Sequence, residues 1–316
     1  MPALPVPMPP LRPGARVRVV APASAPRTPG TYIAGMHALQ RDWNVDRAYV
    51  PGPPHGYLSM PDAPRAAALM DALCTSGIDA VLCARGGYGS LRLLSRLDWD
   101  ALRSATPRWV VGYSDITALQ LACWHRLGWP SISGPVLTEW HQLSPAMRHE
   151  IFQVSAPRPY TLTWSDMRSD SDPSPETLSP GTATGLLLGG TLSILTRLLG
   201  TSFMPDLRGA VLLLEDVQEP PYAVDRMLMH LELAGVLDAL AGVVLGRFST
   251  PETVTPPTLS MRDVFTDYFG GRPYPVLSHV PYGHLLPRHS FPMGVPVRLH
   301  LTNTTQTLTC YPDARR

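Results

Sequence analysis

The sequence predicts an α/β protein of two domains. The first is an N-terminal parallel-sheet α/β domain with a candidate nucleophile on a strand-to-helix turn, and the second is a C-terminal mixed β/α domain. Three observations carry this. Residues 16–150 alternate short apolar runs with amphipathic stretches, as parallel strands covered by helices on both faces do. Residues 155–184 break the alternation with a stretch rich in Ser, Thr, Pro and Asp, the composition of an inter-domain connection. Apolar runs resume at residue 185, and 316 residues suffice for two domains. The expected division is 1–154, a linker at 155–184, and 185–316.

The elements follow in order. RVRVVAP (16–22) reads as a buried strand, and residues 31–42 and 62–76 as helices. IDAVLCA (78–84) and RWVVG (108–112) are the next two buried strands. ITALQLACWHRLG (116–128) places apolar residues at helical spacing and stops at Gly128, a C-terminal helix signal. A strand is expected at 159–164 inside the linker. The second domain opens with GLLLGGTLSILTRLLGT (185–201), then AVLLLEDV (210–217), a helix at 222–234 and GVVLGRF (242–248). Strands near 275–280, 296–301 and 306–311 close it, and no internal repeat is visible.

Composition excludes several chemistries. All 26 basic residues are Arg, and the chain contains no Lys. Schiff-base lysine mechanisms are therefore excluded, as are P-loop and kinase-type phosphoryl transfer and Ser-Lys hydrolysis. A formal net charge of +1 gives neither a nucleic-acid footprint nor a polybasic membrane patch. Cys74, Cys83, Cys123 and Cys310 form no CxxC pair, so buried reduced thiols are expected rather than a disulfide framework. No apolar run reaches 18 residues, and the Pro-broken N-terminus MPALPVPMPPLRPG lacks a charged n-region. No membrane span or secretory signal is expected, and a cytoplasmic location is.

Four segments carry candidate chemistry. In RWVVGYSDITALQLACW (108–124) a strand ends at Gly112 and a helix follows at once, which puts Ser114 on the turn between them. Open α/β sheets place ligands at that end of a strand, and a nucleophile elbow has the same logic. An ordinary helix cap by Ser114-Asp115 is the other reading. In LCARGGYGSLRLL (82–94) a strand runs into Arg85-Gly86-Gly87-Tyr88-Gly89. Paired glycines let backbone N–H groups approach a ligand or an oxyanion; a tight structural turn would look the same. VLLLEDVQEPPYAVDRMLMHLELAG (211–235) ends an apolar strand in Glu215-Asp216, where Glu215 is either a carboxylate that orients a histidine or a solvated strand end. Glu219 and Asp225 fit charges at a helix N-terminus. LSHVPYGHLLPRHSFPMG (277–294) holds His279, His284 and His289. Without HExxH or a nearby Cys, no metal is expected there. His284, after Gly283 in a loop, suits an exposed base. His279 reads as packed in a strand and His289 as a surface residue. In a chain without Lys, the general base for a serine nucleophile is a histidine.

These blocks together resemble a known family. ARGGYGSLRLL, VVGYSDITAL, GLLLGGTLSIL, LLLEDVQEPPYAVDRMLMHL, VVLGRF and VPYGH are similar, in order, to the LD-carboxypeptidase family of serine peptidases. That family comprises muramoyltetrapeptide carboxypeptidases, with microcin C immunity proteins as close relatives. VVAPASAP (19–26) and GYLSMPDAPRAAAL (56–69) fit too, so the resemblance spans about residues 16–300. It implies Ser114 as nucleophile, His284 as general base and Glu215 as the carboxylate that orients it. Backbone amides of Gly87 and Asp115 would form the oxyanion hole. Arg85, Gly86 and Tyr88 are the substrate-binding candidates, Arg85 being by sequence the nearest cation for a terminal carboxylate, with a structural ion pair as its other reading. The implied reaction is hydrolysis of the amide between the L centre of meso-diaminopimelate and terminal D-Ala in a muropeptide tetrapeptide, through an acyl-enzyme, in peptidoglycan recycling. The immunity-type alternative cleaves an amide in a peptidyl- or acyl-sulfamoyl nucleotide, with Trp164 as a conceivable stacking platform. A non-catalytic peptide-binding protein is a distant third reading. No cofactor or metal is implied, and family members are commonly homodimers. One departure stands out: Gly189-Gly190-Thr191 where the family usually reads GGN.

Overall fold

The structure, a computed structural model, describes residues 5–164, 173–252, 259–302 and 304–311. Residues 165–172 of the expected linker lie outside the described residues. Strands in chain order are β1 (Arg16–Val20), β2 (Asn44–Ala48), β3 (Ala80–Cys83), β4 (Trp109–Gly112), β5 (Ser131–Ser133), β6 (Tyr160–Leu162) and β7 (Glu176–Ser179). They continue as β8 (Gly181–Thr191), β9 (Val211–Asp216), β10 (Gly242–Phe248), β11 (Val276–Ser278), β12 (Phe291–Met293), β13 (Pro296–Leu301) and β14 (Gln306–Cys310). The α-helices are α1 (Pro29–Leu39), α2 (Asp62–Cys74), α3 (Trp99–Ser104), α4 (Thr117–Leu127), α5 (Pro145–Val154), α6 (Leu192–Thr196), α7 (Pro221–Leu233) and α8 (Met261–Phe269).

The chain divides into two units. The first comprises 1–157 with two short returns, 201–205 and 290–294. Its six-stranded sheet runs β12-β5-β4-β3-β1-β2. The neighbours from β2 to β5 pair in parallel, and only β12 is antiparallel. The central strands are wholly apolar because both faces are covered: Ala80 to Cys83 and Trp109 to Val111 are all buried. A buried aliphatic side chain of this kind contributes roughly 1.5–3 kcal/mol. α4 ends where the sequence predicts, with Gly128 in the left-handed conformation and its N–H on the Trp124 carbonyl.

The second unit comprises 158–200, 206–289 and 295–316. Its eight-stranded sheet runs β6-β14-β13-β8-β9-β10-β11-β7. The middle four strands, β8 to β11, are parallel, and the outer pairings are antiparallel. The α/β class with a parallel first sheet and a mixed second sheet is thus as expected. Leu212 to Leu214 on β9 and Val243 to Leu245 on β10 form the centre of this core. β6 and β7 come from the Ser/Pro-rich stretch and close the two edges of this sheet.

Two readings of single residues change. Cys74 is exposed, whereas Cys83, Cys123 and Cys310 are buried; none is in a disulfide. Burial pushes the Cys123 thiol up to about 12, and the Cys83 thiol up further, which keeps both inert as nucleophiles. His289 is not a surface residue: it is 4% exposed, with its ring edge-on to Trp164 at 5.7 Å. Its Pro and Arg neighbours in sequence suggested solvent, but the loop folds inward.

Candidate functional site

In the first unit, β4 delivers the chain to Ser114. Gln120 of α4 is buried and donates to the carbonyls of Gly112 and Ile132, both at 2.9 Å, which ties the end of β4 to its neighbour. The Tyr113 hydroxyl donates to Glu139 at 2.6 Å. Between these anchors the backbone turns sharply, and Ser114 sits at φ +64°. A left-handed non-glycine residue costs about 1–3 kcal/mol and persists only where its surroundings enforce it. Ser114 then opens a 3-10 turn that continues into α4, so the Asp115 N–H lies at the positive end of a helix. This is the geometry of a nucleophile elbow.

The Arg85–Gly89 loop lies against that turn. A Cβ on Gly86 would sit 2.9 Å from Ser114 Cβ and 3.2 Å from Ser114 Oγ, so only glycine admits this approach. Gly87 has φ +105°, and a Cβ there would lie 2.5 Å from Ser24 Oγ. The Asp115 carboxylate is buried and accepts the Ser90 N–H at 2.8 Å, joining the Ser114 turn to the end of the glycine loop. Burial raises the Asp115 carboxyl above the usual carboxylate range. Arg85 donates to the Ala25 carbonyl at 3.0 Å; burial, with Arg27 nearby, lowers its pKa. Tyr88 is exposed and meets Tyr57 edge-on at 5.2 Å. Ser114, Asp115, Gly86 and Gly87 are therefore brought together.

In the second unit, β9 carries Glu215 to the end of its run with 0% exposure. A carboxylate so placed needs hydrogen bonds to both oxygens. His284 Nδ1 donates to Oε2 at 2.7 Å, and the Thr191 hydroxyl, at the end of β8, donates to Oε1. Thr191 thus supplies a donor to Glu215 through its hydroxyl. Glycines make the slot: a Cβ on Gly283, at φ +121°, would lie 2.9 Å from Glu215 Oε2, and one on Gly246 would lie 3.2 Å from Glu215 Cβ. With Nδ1–H given to the carboxylate, the lone pair of His284 resides on Nε2, the tautomer a general base requires. Arg247 is buried on β10 and donates to the carbonyls of Leu285 (3.1 Å) and Pro287 (2.6 Å), holding the His284 loop.

Asp216 plays a different part from its neighbour. It accepts the N–H groups of Ser193 (2.7 Å) and Val217 (2.9 Å). Burial first, and the adjacent Glu215 second, push its carboxyl up to about 6. Its folded-state pKa lies above the ordinary 3.8. Folding therefore binds the proton more tightly, and this group costs stability as pH rises from about 4 to 6. The full cost above that window is about 3 kcal/mol. In urea unfolding at a series of pH values, the stability of Asp216→Asn relative to the native chain should increase between pH 4 and 7. A difference that stays flat with pH would contradict the raised pKa.

Sequence reasoning missed Gln120, Arg247 and the supports of the glycine loop. The available signal was polarity inside apolar runs: Gln120 among ALQLAC and Arg247 after VVLG. His279 is half-buried at φ +59°, just past β11, with Nδ1 3.1 Å from the Ser278 hydroxyl.

The geometry agrees with the similarities this chain shows. The LD-carboxypeptidase N-terminal domain matches residues 17–134, and the LD-carboxypeptidase C-terminal domain matches 184–299. A putative carboxypeptidase of Streptomyces coelicolor is 40% identical over 304 residues, 94% of each chain. The murein tetrapeptide carboxypeptidase of Pseudomonas aeruginosa is 33% identical over 294 residues, 88% of this chain and 91% of that one. The muramoyltetrapeptide carboxypeptidase of Oxalobacter formigenes superposes with a TM-score of 0.80 at 26% identity, covering 94% of this chain and 98% of that one. The wild-type microcin C7 self immunity protein shares the fold, with a TM-score of 0.86 at 24% identity over 97% and 98% of the two chains. With both domains matched and a 40% identical carboxypeptidase relative covering nearly its whole length, the chain belongs to the LD-carboxypeptidase family of serine peptidases.

Proposed function

We propose that this protein is a serine-type LD-carboxypeptidase that removes terminal D-Ala from muropeptide tetrapeptides in peptidoglycan recycling. In this reading it acts as a cytoplasmic homodimer, with the nucleophile in the N-terminal domain and the base and its orienting carboxylate in the C-terminal one. The observation that carries it is the His284–Glu215 hydrogen bond at 2.7 Å, with Glu215 wholly buried. A solvated strand end would not bury its carboxylate against an imidazole. The relatives named for murein tetrapeptide and muramoyltetrapeptide cleavage support the substrate class.

The chemistry follows from the residues. Ser114 Oγ attacks the carbonyl of the L centre of meso-diaminopimelate, and His284 Nε2 takes the hydroxyl proton. The resulting oxyanion accepts hydrogen bonds from the N–H groups of Gly87 and Asp115, each such donor being worth roughly 10²–10³ in rate. The C–N bond breaks, the amine of D-Ala leaves with the proton held by His284, and the acyl group remains on Ser114. A water, deprotonated by His284, then releases the tripeptide and restores the serine. Glu215 stabilises the imidazolium in both half-reactions. Arg85 pairs with the terminal carboxylate of the substrate.

Incubation with muramoyl tetrapeptide, with the product weighed by mass spectrometry, tests this. The expected product is lighter by one alanine residue. Intact tetrapeptide alongside a cleaved aminoacyl-sulfamoyl nucleotide would overturn the muropeptide reading in favour of the immunity-type one.

A further inference from the structure

Two sequence blocks have no part in the chemistry above: VVAPASAP (19–26) and GYLSMPDAPRAAAL (56–69). Both converge on the glycine loop. Ser24 N–H donates to the Gly86 carbonyl at 3.3 Å. The Ser24 hydroxyl accepts the Tyr88 N–H at 3.2 Å and donates to the Tyr57 carbonyl at 2.7 Å. These contacts fall on the residues either side of Gly87. Ser24 Oγ also occupies the place a Gly87 Cβ would take, only 2.5 Å from it.

The frame behind Ser24 is held by a set of hydrogen bonds. The Ser59 hydroxyl donates to the Ala21 carbonyl at 2.6 Å, and Ser59 N–H donates to the Ala23 carbonyl at 3.0 Å. Arg65, 1% exposed, donates to the carbonyls of Pro22, Met60 (3.0 Å) and Gly89 (3.1 Å). The loop is thus held at Gly86 and Tyr88 by Ser24, at Gly89 by Arg65, and at Ser90 by Asp115. Within this set, Ser24 alone contacts both neighbours of Gly87. The Gly86 carbonyl shares its peptide with the Gly87 N–H, and the Tyr88 N–H belongs to the next peptide, so the two bonds fix both planes that meet at the Gly87 Cα; such preorganisation is what makes an oxyanion donor effective.

We propose that Ser24 is a positioning residue that aims the Gly87 amide at the oxyanion; this rests on the reading of Ser114 as nucleophile and Gly87 as donor. Its hydroxyl acts through the backbone and does not touch substrate. Losing it loosens the Gly87 peptide, so stabilisation of the tetrahedral intermediate falls while substrate binding is little changed.

The test uses the full chain with Ser24→Ala and Ser24→Thr. Four quantities are measured: the rate of Ser114 labelling by a fluorophosphonate probe, kcat and KM on muramoyl tetrapeptide, and the thermal midpoint. The probe's phosphoryl oxygen requires the same donors and is indifferent to the natural substrate. Ser24→Ala is expected to lower labelling rate and kcat together by about 10- to 100-fold, with KM within about twofold. Ser24→Thr, which keeps the hydroxyl, should recover at least half the native rate. If the alanine variant melts far lower than the native chain, Ser24→Cys reads the same effect, because its thiol fills the space but hydrogen-bonds weakly. A native chain labelled at Ser114 and a Ser24→Ala chain labelled equally fast would overturn the role of Ser24 alone. A native chain that the probe does not label would overturn the serine-hydrolase reading, and Ser24's role with it.

Discussion

Ser114→Ala lowers carboxypeptidase turnover by about 10⁴-fold or more and leaves the thermal midpoint within a few degrees of the native value. The size follows from the mechanism: in serine hydrolases, loss of the nucleophile removes nearly all the rate enhancement that the triad supplies. The small effect on stability follows from the backbone. Ser114 holds φ +64°, and alanine at that position carries the same Cβ and the same strain. Ser114→Gly separates the two roles. It is equally inactive, but it relieves the left-handed conformation, and it should be more stable than the alanine variant by about 1 kcal/mol. Purified variants assayed for alanine release and unfolded in urea check both statements. A Ser114→Ala protein that retains more than a few per cent of the native rate sinks the assignment of the nucleophile.

Glu215→Gln is the second large effect, a fall in kcat of about 10⁴-fold with KM nearly unchanged. The substitution preserves shape, so its effect is electronic. Native Glu215 accepts from both His284 and Thr191. A glutamine can turn its NH₂ towards His284, which forces the ring into the tautomer with the proton on Nε2 and removes the base. Alternatively it can turn its carbonyl towards His284, in which case no negative charge faces the imidazolium that forms. Either orientation leaves Ser114 without an effective proton acceptor. Steady-state kinetics on the tetrapeptide decide the point, and a variant within tenfold of native kcat would remove Glu215 from the mechanism.

Much of the fold was legible because its strands are central. β3 and β4 are buried along their whole length and β9 and β10 along their centres, so they read as apolar runs, while β1 alternates Arg16 and Arg18 with buried valines. β2 (NVDRA) was not legible: it is an edge strand with three of its five residues exposed and none buried, and its polar side chains carry no strand signal. β5 and β12 are three residues each, too short for any period to show. The short returns 201–205 and 290–294 depend on contacts far along the chain, which no local window contains.

The candidate residues were legible for a related reason. Ser114 and Glu215 sit at the ends of the apolar strands β4 and β9, where a polar residue interrupts the pattern and stands out, and His284 lies in the loop between β11 and β12. The sequence by itself determined the residue types and their chain order and, through the absence of Lys, excluded a lysine as the base. Tertiary structure alone decided three things: that Glu215 is buried and bonded to His284 rather than solvated, that Thr191 supplies its second donor, and that Ser24, Arg65 and Asp115 grip the glycine loop. The physical reason is that burial and hydrogen-bond direction are properties of the space between segments. Glu215 and His284 are 69 residues apart in sequence, and only the packing of β9 against the chain that follows β11 sets their distance.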